Sequence, residues 1–207
     1  MLIPFESLIQ KYQLTLTGIL HIGAHECEEI RDYEKHISRD RILWIEGMAD
    51  KVNWAKGQFP DIQIEQAYIS DTVENVTFHR SNNGQSSSIL ELGLHTVYHP
   101  QVHYVESYPV ETQAMRNILP NYADTSFNFI NLDIQGAELK ALQGMAEYLP
   151  NVHYIYTEVN SDYVYKDCAL VEEIDAFLAP YGFKRVETAW YGNCQWGDAF
   201  YVRETSV

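Results

Sequence analysis

Short apolar runs alternate with amphipathic stretches along most of this chain, and that alternation predicts strands and helices in turn. Phe5, Leu8, Ile9 and Tyr12 fall at helical spacing within Pro4 to Gln13, which predicts a short N-terminal helix packed on the rest. Gly18-Ile19-Leu20-His21-Ile22 reads as a buried strand, and Gly23-Ala24 as a tight turn opening into a helix over Glu28 to Ile37. Arg41 to Ile45 is the next strand, Asp50 to Phe59 a helix stopped by Pro60, and Ile62 to Ile69 a third strand. Val73 to His79 alternates in the manner of a further strand, with antiparallel pairing open to it, before the polar loop Ser81 to Ser88. Glu111 to Leu119 is expected as a helix ending before Pro120. Phe127 to Asp133 is a strand, and Gly136-Ala137-Glu138 turns into a long amphipathic helix carrying Leu139, Leu142, Met145 and Leu149. Val152 to Val159 follows as a strand, Asp167 to Leu178 as the last helix, and Gly182-Phe183 with Trp196 to Val202 as a terminal strand pair. Strands alternating with helices imply right-handed βαβ units in a parallel sheet, with ligands gathered at the carboxyl edge.

Composition narrows the class without changing that pattern. The 207 residues suit one domain, 1–207, and the 46% hydrophobic and 13% aromatic content is that of a globular protein. No apolar run approaches the roughly 18 residues of a membrane span, and Met1 to Glu6 lacks the basic start and long apolar centre of a secretory signal, so a cytoplasmic protein is expected. Cys27, Cys168 and Cys194 are too few and too far apart for a disulfide framework, and three free thiols are expected. The formal net charge of −15, with no basic cluster, argues against a nucleic acid partner.

Candidate chemistry collects at strand ends. The backbone of Ile22, Gly23, Ala24 and His25 offers a ligand close approach, because glycine has no side chain and accepts positive φ. The chain has His25 and Cys27 where a GxGxxG fingerprint would place its later glycines, and Glu26, Glu28 and Glu29 would repel a pyrophosphate. A nucleoside without phosphate is compatible with them. Glu46, ending the next strand about 20 residues on, is placed to accept hydrogen bonds from both ribose hydroxyls. Ser70 and Asp71 close the third strand, either beside an adenine or as turn caps. Glu46, Asp133 and Glu158 lie near strand carboxyl ends, which in a parallel sheet share one edge. His95, His99 and His103 recur at intervals of four, but Pro100 breaks the helix that would align them for a metal; an acceptor pocket or lid is the other reading of this aromatic, histidine-bearing segment.

From Gly18 to about Arg203 the chain resembles the FkbM family of S-adenosylmethionine-dependent methyltransferases. The carriers are HIGAHECEE at His21 to Glu29, WIE at Trp44 to Glu46, AYISD at Ala67 to Asp71 and SSSIL at Ser86 to Leu90. The second half adds NLDIQGAELKALQGM at Asn131 to Met145, YTEVN at Tyr156 to Asn160 and WGDAFYV at Trp196 to Val202. The resemblance implies an α/β, Rossmann-like class I methyltransferase fold: a seven-stranded, mostly parallel sheet with helices on both faces and a reversed terminal strand. It implies S-adenosylmethionine as cofactor, with Gly23 and its neighbours near the methionine part, Glu46 on the ribose, Ser70 and Asp71 near the adenine, and Asp133 facing the reactive methyl. His21 and Gln135 depart from acids common at those positions.

Methyl transfer to a hydroxyl calls for alignment, exclusion of water, and a base or metal that lowers the hydroxyl pKa. Asp133 is the first candidate for base or metal ligand, Glu158 the second and His25 an imidazole alternative, while Asp133 could equally hold the cofactor ammonium. Whether a divalent metal takes part stays open. The expected activity is O-methylation of a sugar, glycolipid or secondary metabolite, with N-methylation or a non-catalytic nucleoside-binding protein as alternatives. Residues 1–17 are expected as a helical extension and 81–108 as an acceptor loop or lid.

Overall fold

The apolar runs assemble into strands that are buried from both sides. In the computed structural model, which describes residues 1–204, the strands in chain order are β1 Ile19–Ile22, β2 Ile42–Glu46, β3 Gln63–Gln66, β4 Tyr68–Ile69, β5 Asn75–Ser81, β6 Tyr104–Gln113, β7 Phe129–Leu132, β8 Tyr154–Asn160, β9 Phe183–Trp190 and β10 Trp196–Arg203. The helices are α1 Phe5–Tyr12, α2 Ile30–Tyr33, α3 Ala49–Gln58, α4 His95–Tyr98, α5 Met115–Ile118, α6 Glu138–Gly144 and α7 Val171–Leu178. Seven strands form the main sheet in the order β3-β2-β1-β7-β8-β10-β9, and β4-β6-β5 form a small second sheet. Neighbours from β3 through β8 run parallel, and β10 is antiparallel to both β8 and β9. This is the mostly parallel, Rossmann-like sheet with a reversed last strand that the family resemblance implies.

Period-two alternation divides each central strand between two cores. Leu20, Ile22, Leu43, Ile45, Ile130 and Leu132 pack with Leu142 and Met145 and with Ile174 and Leu178 of α7. Ile19, Ile42, Trp44 and Phe129 face the other way, against Phe5 and Leu8 of α1, Tyr33 of α2 and Val52 of α3. A strand covered on both faces has no solvent side to mark with polar residues, so it reads as a continuous apolar run. Among the described residues no helix is long and apolar enough to cross a membrane.

Several element boundaries differ from the sequence expectation. The run Ile62 to Ile69 is not one strand: it breaks at Ala67, and Tyr68 and Ile69 pair with Thr112 and Gln113 of β6 in the second sheet. Glu111 to Gln113 are strand rather than helix, leaving only the short α5 beyond them. The cause is local, since buried Thr112 Oγ1 donates to Thr72 O at 2.8 Å and accepts from Glu74 N–H at 3.1 Å, ties that fix an extended backbone. The helix expected over Glu28 to Ile37 shrinks to α2, and α7 starts at Val171 rather than Asp167. The long helix expected after Gly136 ends at Gly144, where the chain tightens into a 3-10 turn over Ala146–Asn151 containing Pro150. The antiparallel option for Val73 to His79 is realised by β5 against β6.

Candidate active site

β1, β2, β7 and β8 run parallel, so their carboxyl ends open together onto a cavity of about 620 Å³, a volume typical of small-molecule sites. At the end of β1 the amides of Gly23 and Ala24 both donate to Ile45 O, at 2.9 and 3.0 Å. Gly23 adopts φ +91°, and a Cβ there would lie 1.8 Å from Asp133 O. Glycine is therefore what lets β1 and β7 end side by side. The turn does not lead straight into a helix: His25 and Cys27 take positive φ of 43° and 54° before α2 begins.

That irregular turn serves Glu46. Its Oε2 accepts the His25 N–H at 2.8 Å and its Oε1 the Met48 N–H at 2.7 Å, which fixes the carboxyl plane at the cavity wall. Burial pushes the Glu46 pKa up, and the Met48 and His25 amides oppose that rise. Each carboxylate oxygen keeps lone-pair capacity for a further donor. His25 Nδ1 pairs with Glu28 Oε1 at 2.7 Å, while its Nε2 is buried without a partner beside Gly84 of the polar loop.

Asp133 and Glu158 occupy the middle of the edge, joined by one side chain. Gln135 Nε2 donates to Asp133 Oδ1 at 2.6 Å and to Glu158 Oε2 at 2.9 Å, while the Tyr165 hydroxyl donates to Gln135 Oε1. Both N–H groups and the oxygen of that amide are thus engaged. Gln135 itself sits at φ 58° and Gly136 at φ 100°, a backbone kink held by Glu138, whose carboxylate accepts the Ile134 and Gly136 N–H groups at 3.0 Å each. Burial pushes Glu138 up to about 7. Burial also raises Glu158 well above the carboxylate range, reinforced by Asp133 and Glu138. Surrounding protein and then Asp198 push Asp133 upward too, but its side chain opens onto the cavity, where water tempers the effect.

The cavity thus unites Ile22, Gly23, His25, Glu46, Asp133 and Glu158. Ala24, Ser70 and Asp71 lie outside its lining: Ala24 is buried in the core, Ser70 N–H bonds Gln113 O at 3.0 Å, and Ser70 Oγ bonds Asp71 Oδ1 at 3.0 Å. Ala67, Tyr68 and Ile69 line the wall in their place. His95 and His99 also face the cavity with ring centroids 5.0 Å apart, whereas His103 turns away and bonds Asn82 through its backbone. No group of three or more His, Cys, Asp or Glu side chains suited to a metal occurs among the described residues. Gln135, Glu138 and Tyr165 were missed as site builders; the Gln-Gly pair at the kink is the one local signal, and nothing in the sequence marks Tyr165.

Comparison with known proteins accords with this geometry. The model of the methyltransferase FkbM domain matches residues 21–185. No curated protein matches the sequence. Among solved structures, the chain is similar to a ribosomal protein L11 methylase from Lactobacillus delbrueckii subsp. bulgaricus, with TM-score 0.54, 10% identity, and coverage of 95% of this chain and 75% of that one. It is similar also to magnesium protoporphyrin IX methyltransferase from Synechocystis PCC 6803 with bound S-adenosylmethionine, at TM-score 0.52, 8% identity and coverage of 96% and 76%. A third is an S-adenosylmethionine-dependent methyltransferase from Clostridium acetobutylicum ATCC 824, at TM-score 0.52, 7% identity and coverage of 97% and 89%. At such identities the shared feature is the Rossmann-like fold. The family match, spanning most of the chain, carries the assignment: this chain belongs to the FkbM methyltransferase family.

Proposed function

We propose that the chain is an S-adenosylmethionine-dependent O-methyltransferase acting on a hydroxyl of a sugar, glycolipid or similar small metabolite. The observation that carries this reading is Glu46, a carboxylate locked by two backbone amides at the end of β2, on the far side of the Gly23 turn from the Asp133–Glu158 pair. Neighbouring strands lie about 4.8 Å apart, so β2 and β7 are separated by about 10 Å across β1. A ribose on Glu46 therefore leaves room for the rest of the cofactor to reach Asp133.

When bound, S-adenosylmethionine supplies an electrophilic methyl on a sulfonium, with the C–S bond breaking as the new C–O bond forms. Glu46 would hold the ribose, the Gly23 turn would admit the methionine part, and Ile69 and Tyr68 would wall the adenine in place of Ser70 and Asp71, which bond each other outside the lining. Asp133, or Glu158 beside it, would take the acceptor proton, since their raised pKa values bring carboxylate basicity closer to the task. His25 stands on the Glu46 side and would serve the cofactor rather than the acceptor. Gln135, bonded to Asp133 Oδ1 and Glu158 Oε2, would hold the two carboxyl groups side by side for that step. The −15 charge favours a neutral acceptor over a nucleic acid.

Purified protein examined by mass spectrometry for retained S-adenosylmethionine or its demethylated product, then given labelled S-adenosylmethionine with a panel of hydroxyl acceptors, tests the proposal. Transfer of label to oxygen supports it. Cofactor uptake without transfer across a broad panel supports a nucleoside-binding protein instead.

A further inference from the structure

The half of the cavity beyond Glu158 is built from different material. There the wall comes from His95 of α4 and His99 just after it, from Tyr165, from Tyr191 just after β9 and from Trp196 at the start of β10. Because β10 is antiparallel, its first residue, Trp196, lies at the same edge as Asn160, the last residue of β8. The indole and the Tyr191 ring stack at 4.7 Å with 21° between planes. Trp196 Nε1–H donates to His99 Nε2 at 3.3 Å.

His95, in the same wall, carries an unpaired ring nitrogen. The residue is 5% exposed, its ring centroid lies 5.0 Å from that of His99 and 5.4 Å from that of Tyr165, and its Nδ1 has no hydrogen-bond partner. A buried, unpaired ring nitrogen is destabilising until a partner arrives, and the ring that carries this one stands in the cavity wall. Burial and then His99 hold the His95 pKa down to about 4, so the imidazole is neutral at physiological pH. Tyr165 connects it to the reacting end, since the same ring that packs on His95 bonds Gln135 between the two carboxyl groups.

Resting on the methyl-transfer reading of the cavity, we propose that the His95 imidazole is the hydrogen-bond partner of an acceptor hydroxyl, the acceptor being an uncharged hydroxyl-bearing ring seated against Tyr191 and Trp196. The Asp133 carboxyl, open to the cavity, disfavours an anionic acceptor, and among the described residues no lysine or arginine lines the cavity to offer one a counter-charge. Aromatic faces accept a flat or pyranose ring by contact, and His95 then distinguishes a hydroxyl from an ether or a methyl at that point. His95 is on this account a specificity residue rather than the base.

The test uses protein saturated with S-adenosylhomocysteine and two uncharged rings as probes, methyl β-D-glucopyranoside and p-cresol, titrated by saturation-transfer NMR. The saccharide and aromatic arms separate the two sources of the same chemistry. Binding of at least one probe, weakened about tenfold by His95→Phe and by Trp196→Leu and restored by His95→Gln, is the expected result, with S-adenosylhomocysteine affinity unchanged throughout. Should His95→Phe lose the nucleoside as well, through misfolding, Trp196→Leu and His95→Gln carry the comparison. Neither probe binding the loaded protein, or equal binding in the substituted proteins, overturns the inference while leaving the methyl-transfer reading intact. Absence of any S-adenosylhomocysteine uptake overturns both.

Discussion

Glu46 shows how one side chain can be read twice, once as structure and once as function. Its two oxygens take the His25 and Met48 amides, so replacing it by alanine both strips the proposed ribose contacts and frees the turn. Glu46→Ala should weaken S-adenosylmethionine binding by about 100-fold, two to three charge-assisted hydrogen bonds' worth, measured by calorimetry. The position of Glu46 after a strand was legible in the sequence, as were Asp133 and Glu158, because acids seldom end apolar runs without cause. The amide that joins two of them was not, because Gln135 reaches Glu158 only after β7 and β8 pair in three dimensions. Glu158 gives a second, independent prediction. Its folded-state pKa lies above the unfolded value near 4.3, so the folded protein bears a cost that is absent at low pH and grows as pH rises past that value. Glu158→Gln should therefore be more stable than the native protein at pH 7, with the difference closing toward pH 4 in urea titrations, and should be slower in methyl transfer. An equal advantage at both pH values would contradict the assignment of that cost to ionisation.

Strand ends govern the next scale. Gly23 brings β1 and β7 together because only a hydrogen fits against Asp133 O, and it does so at positive φ. Gly23→Ala should lower the unfolding free energy by more than about 3 kcal/mol, from steric overlap with backbone added to the left-handed conformation. A shift under about 1 kcal/mol in a urea titration would show that the strand ends yield. The second sheet, β4-β6-β5, is what separates this chain's periphery from its parallel core. Its strands were only half legible: β5 alternates, but β6 carries Pro109 and several exposed polar residues and reads as loop and helix. The core strands were readable for the opposite reason, since burial on both faces leaves nothing but apolar residues. Helix lengths failed where tertiary contacts override periodicity, as at Gly144, whose missing Cβ would stand 2.5 Å from Ser70 O. Because residues 81–108 contribute Ser86 to Ile89, His95 and His99 to the cavity, exchanging that segment with one from another family member should move acceptor preference and leave S-adenosylhomocysteine affinity within about twofold. Unchanged preference in a competition assay would remove the segment from acceptor choice.

Across the whole molecule, the sheet order sets out the chemistry in a line. Glu46 on β2, the Gly23 turn after β1, Asp133 after β7, Glu158 on β8 and Trp196 opening β10 follow one another along a single edge, so the proposed cofactor and acceptor approach the central carboxyl pair from opposite sides. Such an arrangement comes from the parallel topology, with the reversed β10 turning its start, rather than its end, toward the cavity. The most direct measurement of this account is a crystal structure of the protein with S-adenosylhomocysteine. The account predicts the nucleoside in the cavity, both ribose hydroxyls on the Glu46 carboxylate and the sulfur turned toward Asp133. A nucleoside bound elsewhere, or none in crystals soaked at millimolar concentration, would contradict it.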